Sequence, residues 1–152
     1  MGTVSAVDDL RLDDYPAHRT ITTRWMDEDV YGHVNNVTYY SYFDTAVNGH
    51  LIDGTGADVR RLAAVGIVAE TSCVFRRELR FPADVTVGIA VERLGRTSII
   101  YRLGIFQEPH ESPAATGRFV HVYVDARTRE PTPVPPPVRD VAGELVWAGM
   151  RD

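Results

Sequence analysis

Three consecutive acidic residues, Asp27, Glu28 and Asp29, precede the most apolar stretch of the chain, which has the spacing of a helix over residues 37–53. Adjacent carboxylates repel one another, although the dipole of a following helix stabilises acids near its N-terminus. A helix N-terminus also offers unpaired backbone amides that can hold a developing negative charge. An acid beside such amides can act on a carbonyl group as a base or a nucleophile.

Asp29 is the acid nearest to the predicted helix, and its chemistry limits the reaction. A carboxyl with an ordinary pKa of about 3.9 is ionised at neutral pH but is a weak base. Thioester hydrolysis suits such a base, because a thiol with a pKa of about 8.5 leaves as the thiolate without a general acid. The sequence contains no G-x-S-x-G nucleophile elbow. The alternative is that the acids only stabilise the helix N-terminus.

The same loop does not predict a metal site. Asp27, Asp29 and Gly32 occupy the first, third and sixth positions of an EF-hand loop, but Tyr31 and Thr38 stand at the fifth and twelfth, where oxygen ligands are needed. No zinc-ligand spacing relates the histidines at positions 33, 50, 110 and 121. We therefore expect neither a metal nor another cofactor.

The helix is predicted from apolar residues that recur every three or four positions on one face: Val37, Tyr40, Phe43, Val47 and Leu51. Asn36 is the predicted N-cap, and Asp53-Gly54 is the predicted end. Aromatic and β-branched residues, with Gly49 inside, give this helix a poor intrinsic propensity. It needs an apolar surface around it to be stable.

Alternating apolar residues predict one strand before the helix and four after it, at residues 19–25, 67–75, 85–91, 97–106 and 116–125. Short links predict an antiparallel meander. In the second strand, Ile67, Cys73 and Phe75 are expected on one face. The sequence thus predicts an α+β fold with a five-stranded antiparallel sheet wrapped around one long helix. Its open edges favour pairing with a second copy.

Composition restricts the class of protein further. The chain has 152 residues, 44% of them hydrophobic, and a net charge of −5. We expect a loose arm at residues 1–18 and one domain at residues 19–152, which ends in a short helix around Val138 to Leu145. The charge argues against nucleic-acid binding, and no apolar run is long enough to span a membrane. The single cysteine, Cys73, predicts a buried thiol in a reducing, cytoplasmic location.

The segment Asp29-Val-Tyr-Gly-His-Val-Asn-Asn36, followed by Tyr39 or Tyr40, resembles the D-x-x-G-H-V-N-N-x-x-Y signature of a known family. The family is that of the hotdog-fold acyl-CoA thioesterases, in the 4-hydroxybenzoyl-CoA thioesterase-like superfamily. The resemblance continues through residues 70–75, 79–84, 95–98 and 121–125 and covers residues 19–145. It implies an acyl-CoA substrate and a homodimer, or a dimer of such dimers, with sites at the subunit interface.

The resemblance also implies roles for single residues. Asp29 matches the catalytic acid, and the amide of Asn36 matches the group that polarises the thioester carbonyl. His33 matches a residue that organises the loop, and it is also a candidate catalytic residue in contact with the substrate. The other candidates for substrate binding are Tyr31, Gly32, Asn35, Tyr39, Tyr40, Phe43, Glu70, Arg76, Arg77, Arg96 and Ser98.

Two positions depart from the family pattern. Tyr31 stands where some relatives carry a functional Asn, and Asp44 stands where many carry a Glu in the helix. One branch of the superfamily has its catalytic acid on the helix, so Asp44 is an alternative base, or else the partner of a nearby Arg. The alternative functions are a hydratase or dehydratase that uses Asp29 and His33, and a non-catalytic acyl-CoA binding protein. The sequence leaves open the acyl group and the choice between coenzyme A and acyl carrier protein.

Overall fold

Five antiparallel strands and one long helix make up most of the structure, a computed structural model that describes residues 10–147. In chain order the main elements are β1 (Ala17–Ile21), α1 (Asn36–Thr55), β2 (Ala64–Phe75), β3 (Val85–Leu94), β4 (Ser98–Phe106), β5 (Ala115–Asp125) and α2 (Pro136–Glu144). The strand order across the sheet is β1-β3-β4-β5-β2, and neighbouring strands are antiparallel. The predicted α+β class is confirmed, and the arrangement is the hotdog fold.

The long helix α1 is buried against the inward-facing side chains of the central strands. Its buried residues include Tyr39, Phe43, Ala46, Val47 and Leu51, and they share one core with residues of β3, β4 and β5. Burial of one such large apolar side chain contributes about 1.5–3 kcal/mol, which outweighs the poor helix propensity. Val37 was expected on this face but is 74% exposed. Each residue turns a helix by about 100°, so Val37 lies about 120° around the helix from Phe43.

The edge strand β2 differs most from its predicted arrangement. Within residues 10–147 it pairs only with β5, so the meander there contains β3, β4 and β5, and residues 76–84 cross from β2 to the far side of the sheet. A register shift between Val68 and Glu70 also breaks the alternation of the strand. As a result Val68 and Cys73 face the helix, whereas Ile67 faces the opposite side. The shared face predicted for Ile67 and Cys73 is wrong, because a bulge moves every residue beyond it to the other face.

Both ends of α1 lie slightly beyond the predicted positions. Asn35, and not Asn36, is the N-cap, because its side-chain oxygen accepts a hydrogen bond of 2.9 Å from the amide of Val37. The helix continues past Asp53-Gly54 to Thr55 and ends at Gly56, whose φ of 68° lies in the left-handed region that favours glycine. Asn36 is therefore the first residue of the helix, which decides what its amide can do.

The segment before β1 packs against the side of the sheet opposite to the helix. Residues 1–9 of the predicted arm lie outside the described residues, but Leu10 and Tyr15 are buried. The ring of Tyr15 lies over Gly88 and Gly104, which are paired across β3 and β4, and a Cβ at either glycine would come within 2.6 Å of Tyr15. The part of the arm that is described thus belongs to the fold.

The C-terminal helix forms as expected. Val138, Val141, Ala142 and Leu145 are all buried, the last of them directly after the end of α2. The helices within residues 10–147 include none with both the length and the apolar character that crossing a bilayer requires.

Candidate active site

Asp27 is an anchor for the loop that leads into α1. Its carboxylate is buried and accepts hydrogen bonds from the Tyr42 hydroxyl at 2.7 Å, from Arg24 Nε at 3.1 Å and from the Arg24 amide at 2.9 Å. Burial raises the pKa of Asp27, but these hydrogen bonds and the Arg24 charge outweigh it, so the pKa lies below its ordinary value. Because the Asp27 carboxylate is buried and already accepts these hydrogen bonds, it is poorly placed to bind a substrate.

Glu28 attaches the loop to the segment that follows β2. Its Oε2 accepts a hydrogen bond from the Phe81 amide at 3.0 Å. The amide of Val34 donates to the carbonyl of Leu79 at 2.9 Å, and a β-bridge pairs Glu28 with Val34. Asp27 and Glu28 thus form hydrogen bonds with residues outside the loop, whereas the side-chain contacts of Asp29 within residues 10–147 are with Tyr31 and Asn35.

Asp29 lies at the base of a tight turn. Its Oδ1 accepts a hydrogen bond from the Tyr31 amide at 2.9 Å, and its Oδ2 lies 3.4 Å from Nδ2 of Asn35. Its amide donates to the carbonyl of His33, and its own carbonyl accepts from Gly32, both at 3.1 Å. Gly32 has a φ of 83°, a backbone conformation that residues with a Cβ rarely adopt. The turn holds the carboxylate close to the start of α1.

The backbone amides of residues 36–38, at the start of α1, were expected to lack hydrogen-bond partners. In the structure this holds for one of the three. The amide of Val37 donates to the Asn35 side chain, and the amide of Thr38 donates to the Asn35 carbonyl at 2.9 Å. The amide of Asn36 has no hydrogen-bond partner within residues 10–147. It is directed along the axis with the other amides of the first helical turn, where the helix dipole is positive. A carbonyl oxygen placed there would meet one free donor.

His33 joins the loop to the segment after β2. Its Nε2 lies 3.7 Å from Glu78 Oε1, and its ring stacks on Tyr31 with centroids 6.4 Å apart. Arg80 donates to the carbonyl of Gly32 at 3.3 Å and to Glu78 at 3.2 Å. These contacts connect the His33 ring to both Glu78 and Tyr31. Tyr31 itself is 80% exposed at the tip of the loop.

Three aromatic residues that were predicted to bind the substrate, Tyr39, Tyr40 and Phe43, differ in exposure. The hydroxyl of buried Tyr39 donates to the Arg77 carbonyl at 3.3 Å and accepts from the Leu79 amide at 3.2 Å, and burial raises its pKa to about 12. Phe43 is fully buried, with its ring against Gly117. In this chain both residues belong to the core, and half-buried Tyr40 is the one of the three that reaches the surface.

Two other predicted residues lie far from the loop within one chain. Arg96 and Ser98 are at the turn between β3 and β4. The loop instead approaches the opposite end of β3, because the Thr23 hydroxyl donates to the Ala83 carbonyl at 2.9 Å, just before that strand begins. The ten residues of β3 separate these two ends by about 30 Å. One chain therefore does not bring Ser98 and Asp29 together.

The remaining predicted contacts lie on or after β2. Glu70 is paired with Arg118 on the side of the sheet away from α1. Arg77 donates to the side chain of Ser112 at 3.2 Å and also to its carbonyl. Arg76 is exposed beside it, and its amide donates to the Ala114 carbonyl at 2.8 Å. The two arginines follow the end of β2, near the loop.

Asp44, the alternative base, lies eight positions after Asn36, which is about 12 Å along the helix. It is exposed, and its Oδ1 accepts from Asn48 Nδ2 at 3.0 Å. The ion pair with an Arg that was considered for it is not present among residues 10–147; its partner there is Asn48. Among the described residues, no hydrogen bond links this carboxylate to the free amide at the helix start.

Cys73 lies half-buried on the helix side of β2. Burial raises the pKa of its thiol to about 11, so the reactive thiolate is scarce at neutral pH. Within residues 10–147 no group of three or more His, Cys, Asp and Glu side chains is arranged to hold a metal ion.

The support given to the loop by residues 77–81 was not predicted. This segment contributes the Leu79 and Phe81 backbone groups and the Arg80 side chain to the loop described above. The one indication in the sequence was Glu28, an acidic side chain that can accept a hydrogen bond from a backbone amide elsewhere in the chain. Its partner depends on the path of the chain between β2 and β3, which periodicity does not report.

Comparison with known proteins identifies the family. The model of the thioesterase-like superfamily matches residues 23–141. The PA5185 protein of Pseudomonas aeruginosa is 41% identical, with a TM-score of 0.88 over 92% of this chain and 98% of that chain. A Bacillus stearothermophilus protein described as a "predicted thioesterase" is 27% identical, with a TM-score of 0.74 over 86% of this chain and 96% of that one.

A thioesterase of Thermus thermophilus, described as complexed with coenzyme A and zinc, has the same fold at 24% identity. Its TM-score is 0.74, and the match covers 88% of this chain and 96% of that chain. No curated protein matches the sequence significantly. The family model spans most of the chain, and the PA5185 protein matches nearly its whole length, so this chain belongs to the thioesterase-like superfamily.

Proposed function

We propose that this protein is an acyl-CoA thioesterase, which hydrolyses its substrate to a free carboxylic acid and coenzyme A. One observation carries the proposal. The side chain of Asn35 contacts the Asp29 carboxylate and also caps α1, next to the free amide of Asn36. A base or nucleophile and an oxyanion donor are thus held by one residue. The family and the coenzyme A described for the Thermus thermophilus relative support the choice of substrate.

In the proposed reaction the thioester carbonyl oxygen accepts a hydrogen bond from Asn36, and the helix dipole stabilises the negative charge that develops on it. Asp29 either takes a proton from an attacking water or attacks the carbonyl carbon itself, giving a mixed anhydride that water then hydrolyses. In both routes the carbon–sulfur bond breaks, and the sulfur keeps the electron pair. Coenzyme A departs as a thiolate, which explains why a weak base suffices.

We also propose that the active protein is a homodimer joined through β2. This edge strand has twelve residues, and in the part of the chain that the structure describes it is bonded on one side only. Its exposed apolar side chains are Ile67 at 46%, Val68 at 47%, Val74 at 55% and Phe75 at 40%. A long, apolar and unpaired edge favours pairing with another strand. Arg76 and Arg77, at the end of β2, would lie near this interface and could meet the phosphates of coenzyme A. A monodisperse monomer by light scattering at micromolar concentration would contradict the dimer.

The sharpest test replaces Asp29 by Asn, which keeps the shape of the side chain and removes its charge. Turnover of the best substrate in a panel of acyl-CoAs, followed with a thiol-detecting reagent, should fall at least about 100-fold, while substrate binding persists. Asp44→Asn is the matched control and should lose much less. If Asp29 only stabilises the helix, Asp29→Asn loses about 0.3–1 kcal/mol of stability and hydrolyses at the normal rate, and this mechanism is wrong.

A further inference from the structure

Gln107, the only glutamine in the chain, directly follows the last residue of β4. Its side chain forms three hydrogen bonds with one short segment, residues 80–83. Its Oε1 accepts from the Arg80 amide at 3.0 Å, while its Nε2 donates to the Arg80 carbonyl at 2.7 Å and to the Ala83 carbonyl at 3.1 Å. The acceptor and the donors of this side-chain amide thus each face a complementary backbone group. Gln107 holds residues 80–83 against the end of β4.

The loop of Asp29 is attached to the same segment. Three of its residues, Glu28, Gly32 and Val34, form hydrogen bonds with residues 79–81. The bonds of Glu28 and Val34 are to backbone groups of that segment, so the path of its backbone determines where the loop lies. A chain of hydrogen bonds therefore leads from Gln107 through residues 79–83 to the loop.

A second chain of contacts reaches the beginning of the loop. The hydroxyl of Thr23, a buried residue that precedes the loop, donates to the Ala83 carbonyl at 2.9 Å. This carbonyl is one of the two to which Gln107 donates. Both ends of the loop are thus connected to the backbone that Gln107 holds.

Hydrogen bonds are important here because much of the loop is not packed into the core of its own chain. Val34 is fully buried at the end of the loop, but the side chains of Trp25, Val30 and Tyr31 are largely exposed. Exposed side chains gain little from the hydrophobic effect, which scales with the apolar area removed from water. Within one chain, the position of the Asp29 turn depends mainly on hydrogen bonds to residues 79–83.

We propose that Gln107 is a positioning residue for thioester hydrolysis, which acts through residues 80–83 to keep the Asp29 carboxylate in its reacting position beside the amide of Asn36. The inference rests on the proposed thioesterase activity and adds a residue that lies outside both the loop and α1. Gln107 acts on the loop through the backbone, without contact to the reacting atoms. A displacement of about 1 Å in a reacting group can lower a rate about 100-fold, so a distant support can affect turnover.

The first experiment measures hydrolysis of the best acyl-CoA by Gln107→Leu and Gln107→Glu. Leu removes all three hydrogen bonds, whereas Glu keeps the length and the acceptor but directs a carboxylate oxygen at two carbonyls. In both variants kcat should fall at least about tenfold, while KM stays within about threefold, because binding depends on contacts along the whole substrate. His110→Leu, an exposed position in the same link between β4 and β5, is the matched control and should keep the wild-type kcat.

The second experiment follows amide hydrogen exchange by mass spectrometry and needs no substrate. Peptides that cover residues 27–36 should exchange at least about tenfold faster in Gln107→Leu than in the wild type, because the loop opens more often. Peptides from β5 and from the second half of α1 should exchange at the wild-type rate, as should all of these peptides in His110→Leu. Circular dichroism and urea unfolding measure the folded fraction of each variant under the assay conditions.

Four results would overturn the inference. A folded Gln107→Leu protein could keep the wild-type kcat, its activity could fall only in proportion to its folded fraction, or its loop could exchange at the wild-type rate. A Gln107→Glu protein as active as the wild type would show that the hydrogen bonds donated by Gln107 are not needed. A wild type that hydrolyses no acyl-CoA in the panel would instead refute the proposed function, so the two failures are distinguishable.

Discussion

The side-chain amide of Asn35 lies 3.4 Å from Asp29 Oδ2, while the oxygen of the same side chain accepts the hydrogen bond of 2.9 Å that caps α1. One residue thus determines both the position of the acid and the start of the helix. The first contact is long for a hydrogen bond, so its value lies in orientation more than in energy. The two roles of Asn35 can be separated by substitution.

Asn35→Ser keeps an N-cap but cannot reach Asp29. We expect the free energy of unfolding to change by only a few tenths of a kcal/mol, while kcat falls about tenfold with little change in KM, because the carboxylate loses its orientation. Asn35→Ala should lose the same activity and also about 1 kcal/mol of stability. Steady-state kinetics and urea unfolding of both variants measure the two effects. Wild-type kcat in Asn35→Ser would show that Asn35 is only a cap.

The Asp27 network should be important for stability and not for chemistry. Tyr42→Phe removes one hydrogen bond to a buried carboxylate and should lower the free energy of unfolding by about 1.5–3 kcal/mol. Asp27→Asn should lower it by more, because the Arg24 contacts weaken as well. Both variants, when folded, should keep a measurable turnover, unlike Asp29→Asn. Urea unfolding followed by circular dichroism measures the stability of both variants. An Asp27→Asn protein as stable as the wild type would contradict the structural role of this network.

His121 should make the protein less stable in acid. Its folded pKa of about 4 lies below the ordinary value of about 6.5, so between these values the unfolded chain binds a proton that the folded chain does not. Stability is then greatest above pH 6.5 and falls as the pH drops toward 4. His121→Leu should reduce this loss, whereas His110→Gln, at an exposed position, should not. Urea unfolding at pH 7 and pH 4.5 measures the effect. If the wild type and His121→Leu lose the same amount of stability between these two pH values, the assignment of this acid sensitivity to His121 is wrong.

Cys73 should be dispensable for turnover. Its thiol has a raised pKa, and it shares the helix side of β2 with Phe75 and not with Ile67. Cys73→Ala should lose about 1 kcal/mol through reduced packing and retain its activity per folded molecule. A folded Cys73→Ala protein without activity would mean that the wrong nucleophile has been assigned.

Periodicity was sufficient to predict the helix and the five strands, because buried faces impose spacings of three to four and of two. It could not distinguish Asn35 from Asn36 as the cap, since either side chain can accept from a first-turn amide. It also missed the irregularity between Val68 and Glu70, which follows from pairing with β5 and leaves no mark in composition. Local spacing reports which residues are apolar, but not which strand lies next to which.

The candidate site depended even more on distant contacts. The motif indicated Asp29 as the candidate acid. It could not indicate the hydrogen bond between Asp27 and Tyr42, which are 15 positions apart, or the one between Glu28 and Phe81, which are 53 positions apart. His121 was placed among histidines without zinc spacing. Its position between Phe119 and Tyr123 in an alternating strand was the available sign that it would be buried.

The placement of β1 and β2 at the two edges of the sheet also has a consequence for folding. β3, β4 and β5 are joined by short links, but β2 meets β5 across 40 to 61 residues, from Phe75 with Ala115 to Ala64 with Asp125. Contacts so distant in sequence carry a larger loop-closure cost, so the local hairpins should form first and the edge strands dock later. The Asp29 loop follows β1 and is held by the segment after β2. It should therefore be among the last parts of the chain to become ordered, and amide exchange should report it as among the first to open.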